Sequence, residues 1–129
     1  FIPKQLQPEA SVPAPLTSKD RVTLIHKGNE IFNQGKVSLA EKVFRTARYQ
    51  DGLVRVAQHY YDKKEYLRAA DIFRAGNYLK GEYLCYFKLG LVGEVRDIGN
   101  AEDRKKMDEQ INKKLAAVVS RMMQSDPKN

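Results

Sequence analysis

Phe44, Arg45, Tyr49 and Gly52 return as Phe73, Arg74, Tyr78 and Gly81, an offset of 29 residues (44 to 73). A segment copied at such a period is one supersecondary unit, too small to bury its own apolar face, and it must stack on a neighbour. That recurrence restricts the chain to folds built from repeated hairpins, and it directs a functional reading towards holding a partner.

The remaining sequence features exclude more than they specify. With 129 residues, 42% of them hydrophobic and 30% charged, the chain suits one globular domain with a real core. No apolar run approaches the roughly 20 residues that span a bilayer, so no membrane span is expected, and the N-terminus lacks the basic-then-apolar order of a secretion signal. Phe1 in place of an initiating methionine fits a processed product or a fragment of a larger protein. Cys85 is the only cysteine, which excludes a disulfide framework and a cysteine-based zinc site; within Tyr83-Leu84-Cys85-Tyr86-Phe87 it reads as a small packed hydrophobe. His26 and His59 have no acidic or cysteine neighbours at ligand spacing, so neither a metal, a cofactor nor a catalytic group is expected. The net charge of +7 is spread along the chain, which leaves acidic partners, anionic surfaces and nucleic acid all electrostatically allowed.

Three stretches divide the chain. Residues 1–17, with Pro3, Pro8, Pro13 and Pro15, form an extended linker or arm, because proline fixes φ and removes amide donors. Residues 18–99 hold helical hairpins. Ser18 is the expected N-cap of a first helix whose apolar positions are Val22, Ile25 and Phe32, with Gly35 supplying the left-handed stop. Ser38 and Glu41 have the spacing of a capping box that opens a second helix through about Arg48. A third is expected from about Gly52 to Asp62, a fourth from Tyr66 to Ala75 and a fifth from Gly81 to about Leu89, after which Gly90, Gly93 and Gly99 keep the chain short or irregular. Residues 100–125 form a long amphipathic capping helix, started by Asn100 with Glu102 and Asp103 in its first turn and stopped by Asp126-Pro127. Its apolar stripe is Met107, Ile111, Leu115, Val118 and Met122, narrow and regular enough to cap a helical stack or to join two copies of the chain as a homo-oligomer.

The spacing resembles the tetratricopeptide repeat. Leu24, Gly28, Ile31, Ala40 and Phe44 of the first unit answer Leu53, Ala57, Tyr60, Ala69 and Phe73 of the second, with small residues letting helices approach and an aromatic filling the space opposite. A third unit keeps Leu89, Gly93, Val95 and Ile98 but has Glu102 where the phenylalanine belongs. The period is 29 against about 34 in that family, and its proline between repeats is missing, which departs from the usual curvature. The stretch 60–84 is also similar to repeats in the large helical solenoids of coat and intraflagellar-transport subunits. The resemblance implies an all-α, right-handed TPR-like solenoid of about two and a half hairpins, closed by the C-terminal helix.

By the same resemblance, the inner faces of the first helices form a groove for a protein partner, an extended peptide or a helix. The partner-binding positions it implies are His26, Asn29 and Asn33, then Arg55, Gln58, Tyr61 and Asp62, then Tyr83 and Phe87. Val22, Ile25, Leu84 and Phe87 fit the groove or the core equally well. Members that grip a C-terminal carboxylate place a lysine four residues before the asparagine; Ile25 stands there, so a chaperone-tail clamp is not expected. The alternative is an RNA-binding module using Arg45, Arg48, Arg55, Lys63, Lys64, Arg68 and Arg74 among the tyrosines. No phosphate loop, paired acids or triad supports an enzyme.

Overall fold

The protein is described by a computed structural model over residues 15–124. Those residues are all-α, with six helices and no strand: α1 (Ser18–Asn33), α2 (Val37–Ala47), α3 (Gln50–Asp62), α4 (Tyr66–Ala75), α5 (Leu79–Lys88) and α6 (Ala101–Gln124). The Pro-rich arm assigned to 1–17 falls almost wholly outside them. No described helix is long and apolar enough to cross a membrane. The chain divides into two compact units, one ending at Arg48 and the other starting at Tyr49.

In the first unit, α1 packs on α2. Thr17, not Ser18, caps α1: its side chain accepts from the Asp20 amide at 3.0 Å while the Asp20 carboxylate accepts from the Thr17 amide at 3.2 Å. The box expected at Ser38 and Glu41 does not form, because α2 starts at Val37 behind an N-cap at Lys36 that makes no side-chain bond, which leaves Ser38 already inside the helix. Glu41 pairs instead with Arg45, one turn on, at 3.0 Å. Gly28 and Ile31 of α1 are buried, as are Val37, Ala40, Phe44 and Ala47 of α2. A Cβ on Gly28 would come within 2.5 Å of the Phe44 ring, so the absence of a side chain there sets how closely the helices approach. Arg21 closes the other end of the hairpin, donating to the carbonyls of Ala47 (2.8 Å) and Arg48 (3.2 Å), where a cation also complements the negative end of α2.

In the second unit, α3 packs on α4 and α4 on α5. Phe73 also sits on a glycine, but on that of the following helix: a Cβ on Gly81 of α5 would stand 2.6 Å from its ring, whereas Phe44 meets Gly28 of the preceding helix, whose counterpart at the period of 29 is Ala57. Past α5 the chain turns without helix through residues 89–100, as the glycines predict. Leu91 and Val92 drop into a cluster with Tyr83, Met107 and Ile111, which fastens the start of α6. Asn100 caps α6 as expected, its side-chain oxygen accepting from the amides of Glu102 (2.9 Å) and Asp103 (3.0 Å). Arg104 donates to the Ile98 carbonyl and Lys114 to that of Gly90.

The offset of 29 reaches single backbone hydrogen bonds. After α1, Lys36 N–H donates to Ile31 O (3.2 Å); after α3, Glu65 N–H donates to Tyr60 O (2.9 Å), with Gly35 (φ 85°) and Lys64 (φ 64°) at the matching left-handed positions. After α2 and α4, Arg48 (φ 54°) and Asn77 (φ 57°) are both left-handed, and the tyrosines that follow, Tyr49 and Tyr78, are the N-caps of α3 and α5. α5 departs from the pattern. It starts in register with α3 but ends at Lys88, nearly a helical turn early, because the left-handed Gly90 (φ 75°) closes it. Gly93 and Ile98 of the third unit therefore lie in irregular chain, not on helices.

Candidate partner-binding face

α1 buries Gly28 and Ile31 and turns other positions outward. His26 and Asn33 are exposed and Asn29 is half-buried. α3 buries Gly52, Leu53, Val56, Ala57 and Tyr60, which leaves Arg55, Gln58 and Asp62 exposed. These positions correspond pairwise at the period of 29: His26 to Arg55, Asn29 to Gln58, and Asn33 to Asp62. Spacings of three and four residues keep each set on one helical face. The amide of Gln58 donates to the Asp62 carboxylate at 2.9 Å, which holds both side chains in a defined direction. Tyr61 is half-buried, its ring edge-on to Tyr66 (5.3 Å between centroids) and near Phe73 (6.4 Å), so it offers a partner only part of its surface.

α5 supplies a different chemistry. Phe87 corresponds to Asn29 and Gln58 at the same period, and it is 46% exposed. Tyr83 does not belong to a surface: it is 5% exposed in the cluster that seats α6, and its hydroxyl donates to Asp108. Burial first, and that hydrogen bond second, raise the Tyr83 hydroxyl well above its ordinary value.

Beside this face lies a polar network that the repeat pattern obscures. Glu82, 4% exposed, occupies the register position of Leu24 and Leu53. Arg74 donates to its carboxylate through Nε (2.8 Å), the Tyr86 hydroxyl donates to the same oxygen (2.6 Å), and Arg74 also donates to Tyr86 (2.8 Å). Glu82 holds the Arg74 guanidinium above its ordinary range. Burial, then the bond to Glu82, pushes the Tyr86 hydroxyl up to about 12. Burial, then the Glu82 charge, pushes the Cys85 thiol up to about 11, so it stays protonated at neutral pH and is a poor nucleophile. Among the described residues no buried side-chain nitrogen or oxygen lacks a partner, and the network is a closed structural joint.

The basic residues considered for nucleic acid are partly committed elsewhere. Arg45 pairs with Glu41, Arg74 with Glu82, and the Arg68 guanidinium stacks 4.0 Å over the Tyr60 ring. His59 packs edge-on to Tyr60 at 5.1 Å. Among the described residues, no group of three or more His, Cys, Asp or Glu side chains is placed to hold a metal ion. The stripe of α6 is divided: Met107 and Ile111 are buried, whereas Leu115 is 39% and Met122 67% exposed, so only its first half is packed.

No family model and no solved structure matches this chain. Over 54 residues, 42% of its length, it is 41% identical to a protein of Treponema pallidum (strain Nichols) described as "Uncharacterized protein". The match spans about half, 52%, of that relative.

Proposed function

We propose that the chain is a non-enzymatic protein–protein interaction module, a tetratricopeptide-like scaffold element that takes an extended peptide or a helix of its partner. The observation that carries this reading is the register of polar side chains: His26, Asn29 and Asn33 on α1 and Arg55, Gln58 and Asp62 on α3 hold equivalent positions and stay at least partly open to solvent. On α3, Arg55 and the Gln58 amide held by Asp62 offer donors and acceptors to the main chain of a bound segment and fix its register. Phe87, in the corresponding place on α5, adds an apolar anchor of the kind that dominates binding energy. Tyr61 contributes contact area at the rim.

The test is capture of partners from cells of the source organism, with the wild-type chain and with two variants, Arg55→Ala combined with Gln58→Ala, and Phe87→Ala. The reading expects the same protein to be retained by wild type and lost by both variants, with far-ultraviolet circular dichroism unchanged. Retention of that protein by both variants contradicts it.

A further inference from the structure

We infer that the second half of α6, residues 113–124, is a second docking surface, independent of the α1 and α3 faces, and that its occupant is an acidic amphipathic segment of a partner protein. The first half of the helix is fastened by Met107 and Ile111, 6% and 5% exposed. Beyond Ile111 the same side of the helix continues outward, with Leu115 at 39%, Val119 at 52% and Met123 at 73% exposure. At about 100° per residue these side chains, with Val118 and Met122, fall within one arc of the helix, and twelve residues give it a length of about 18 Å, or three turns.

Charge decides what can cover this arc. Residues 110–124 contain Lys113, Lys114 and Arg121 and no acidic residue. Lys113 flanks the arc on one side, with Lys114 and Arg121 on the other, and Lys114 donates to the neutral Gly90 carbonyl. A second copy of the helix would bring like charges together along both rims, which disfavours self-pairing. A lipid surface also fits poorly. The arc is Leu, Val and Met without tryptophan or phenylalanine, whereas helices that lie in a membrane interface use aromatic anchors and denser basic faces. Methionine suits a protein partner, since its flexible, polarisable side chain adapts to irregular apolar surfaces. An acidic amphipathic helix meets each requirement: leucine or isoleucine over the arc and glutamate opposite Lys113, Lys114 and Arg121.

The experiment uses the full chain and a fluorescein-labelled synthetic helix with leucine at a and d and glutamate at e and g, compared with the same helix carrying lysine at e and g. Fluorescence anisotropy is expected to show saturable binding of the glutamate helix alone, weakened about tenfold as salt rises from about 50 to about 200 mM. Val119→Glu and Met123→Glu, both at exposed positions, are expected to abolish that binding without loss of helicity, while Arg55→Ala with Gln58→Ala leaves it intact and so separates this surface from the α3 face. No binding, equal binding of the lysine helix, binding that survives both glutamate variants, a concentration-dependent mass in sedimentation equilibrium, or preferential co-sedimentation with phosphatidylglycerol vesicles would each overturn the inference.

Discussion

The α1–α2 hairpin and the α3–α4 hairpin make the same turns from different residues. The left-handed position after the first helix is Gly35 in one and Lys64 in the other; after the second helix it is Arg48 in one and Asn77 in the other. Lysine and arginine are poor choices for positive φ, which costs a residue with a Cβ about 1 kcal/mol or more. Their acceptance there shows that the hydrogen bonds closing each helix, and the packing that follows, decide the turn against local preference. Where the hairpins differ is in their arginines. Arg45 pairs within its own helix with Glu41, while Arg74 reaches across to the buried Glu82 on α5.

The largest expected effect tests the likeness of the two. Phe44 and Phe73 are 0% and 1% exposed, each seated on a glycine, and Phe44→Ala and Phe73→Ala should each lose about 3–5 kcal/mol in urea unfolding. Loss from only one of them would break the equivalence.

The next effect sharpens the difference between the arginines. Arg74→Leu leaves the Glu82 carboxylate buried with Tyr86 as its remaining partner and should cost about 2–3 kcal/mol, reduced from a fully buried pair because the guanidinium side is 66% exposed. Glu82→Leu restores the apolar residue found at Leu24 and Leu53 and should cost clearly less. Equal losses would mean that the carboxylate contributes through packing alone.

Smaller shifts follow from the turns and from pH. Lys64→Gly should stabilise by about 0.5–1 kcal/mol, and Gly35→Ala should destabilise by a similar amount, since a Cβ at Gly35 meets open space and only the φ of 85° opposes it. The Cys85 thiol and the Tyr86 hydroxyl have raised values, so the folded chain binds protons more tightly than the unfolded one. Their contribution is complete below the unfolded values of 9.0 and 10.0 and is lost as pH climbs through about 11 and about 12. Thermal melts should therefore be flat to about pH 9 and fall above it, with Tyr86→Phe blunting the fall.

Much of the architecture is legible in the residues. The paired phenylalanines and tyrosines mark packing and N-cap positions in both copies, Gly81 marks a close approach, and Asn100 with its acidic followers sets the start of α6. The boundary of α2 is not legible from capping residues, because Val37 is buried and draws the helix start one residue ahead of Ser38. Thr17 and Asp20 form the real box, with an aspartate in the place where glutamate is the usual signal. The resemblance puts Tyr83 on the groove-lining side of its helix, yet it follows the half-buried Ile25 and Val54 at the period of 29, and the early stop at Gly90 lets Leu91 and Val92 fold over it. The Glu82 joint had a signal that periodicity alone passes over: a charged residue where the register requires leucine, eight residues after an arginine and four before a tyrosine.

The binding face itself is tested most directly by site-specific photo-cross-linking in the source cells. A photoreactive phenylalanine analogue placed at Gln58 on α3 is compared with one at Leu67 on α4, which is 64% exposed. The account predicts a discrete protein adduct from position 58 and none from position 67. An adduct from 67 with none from 58 would contradict it.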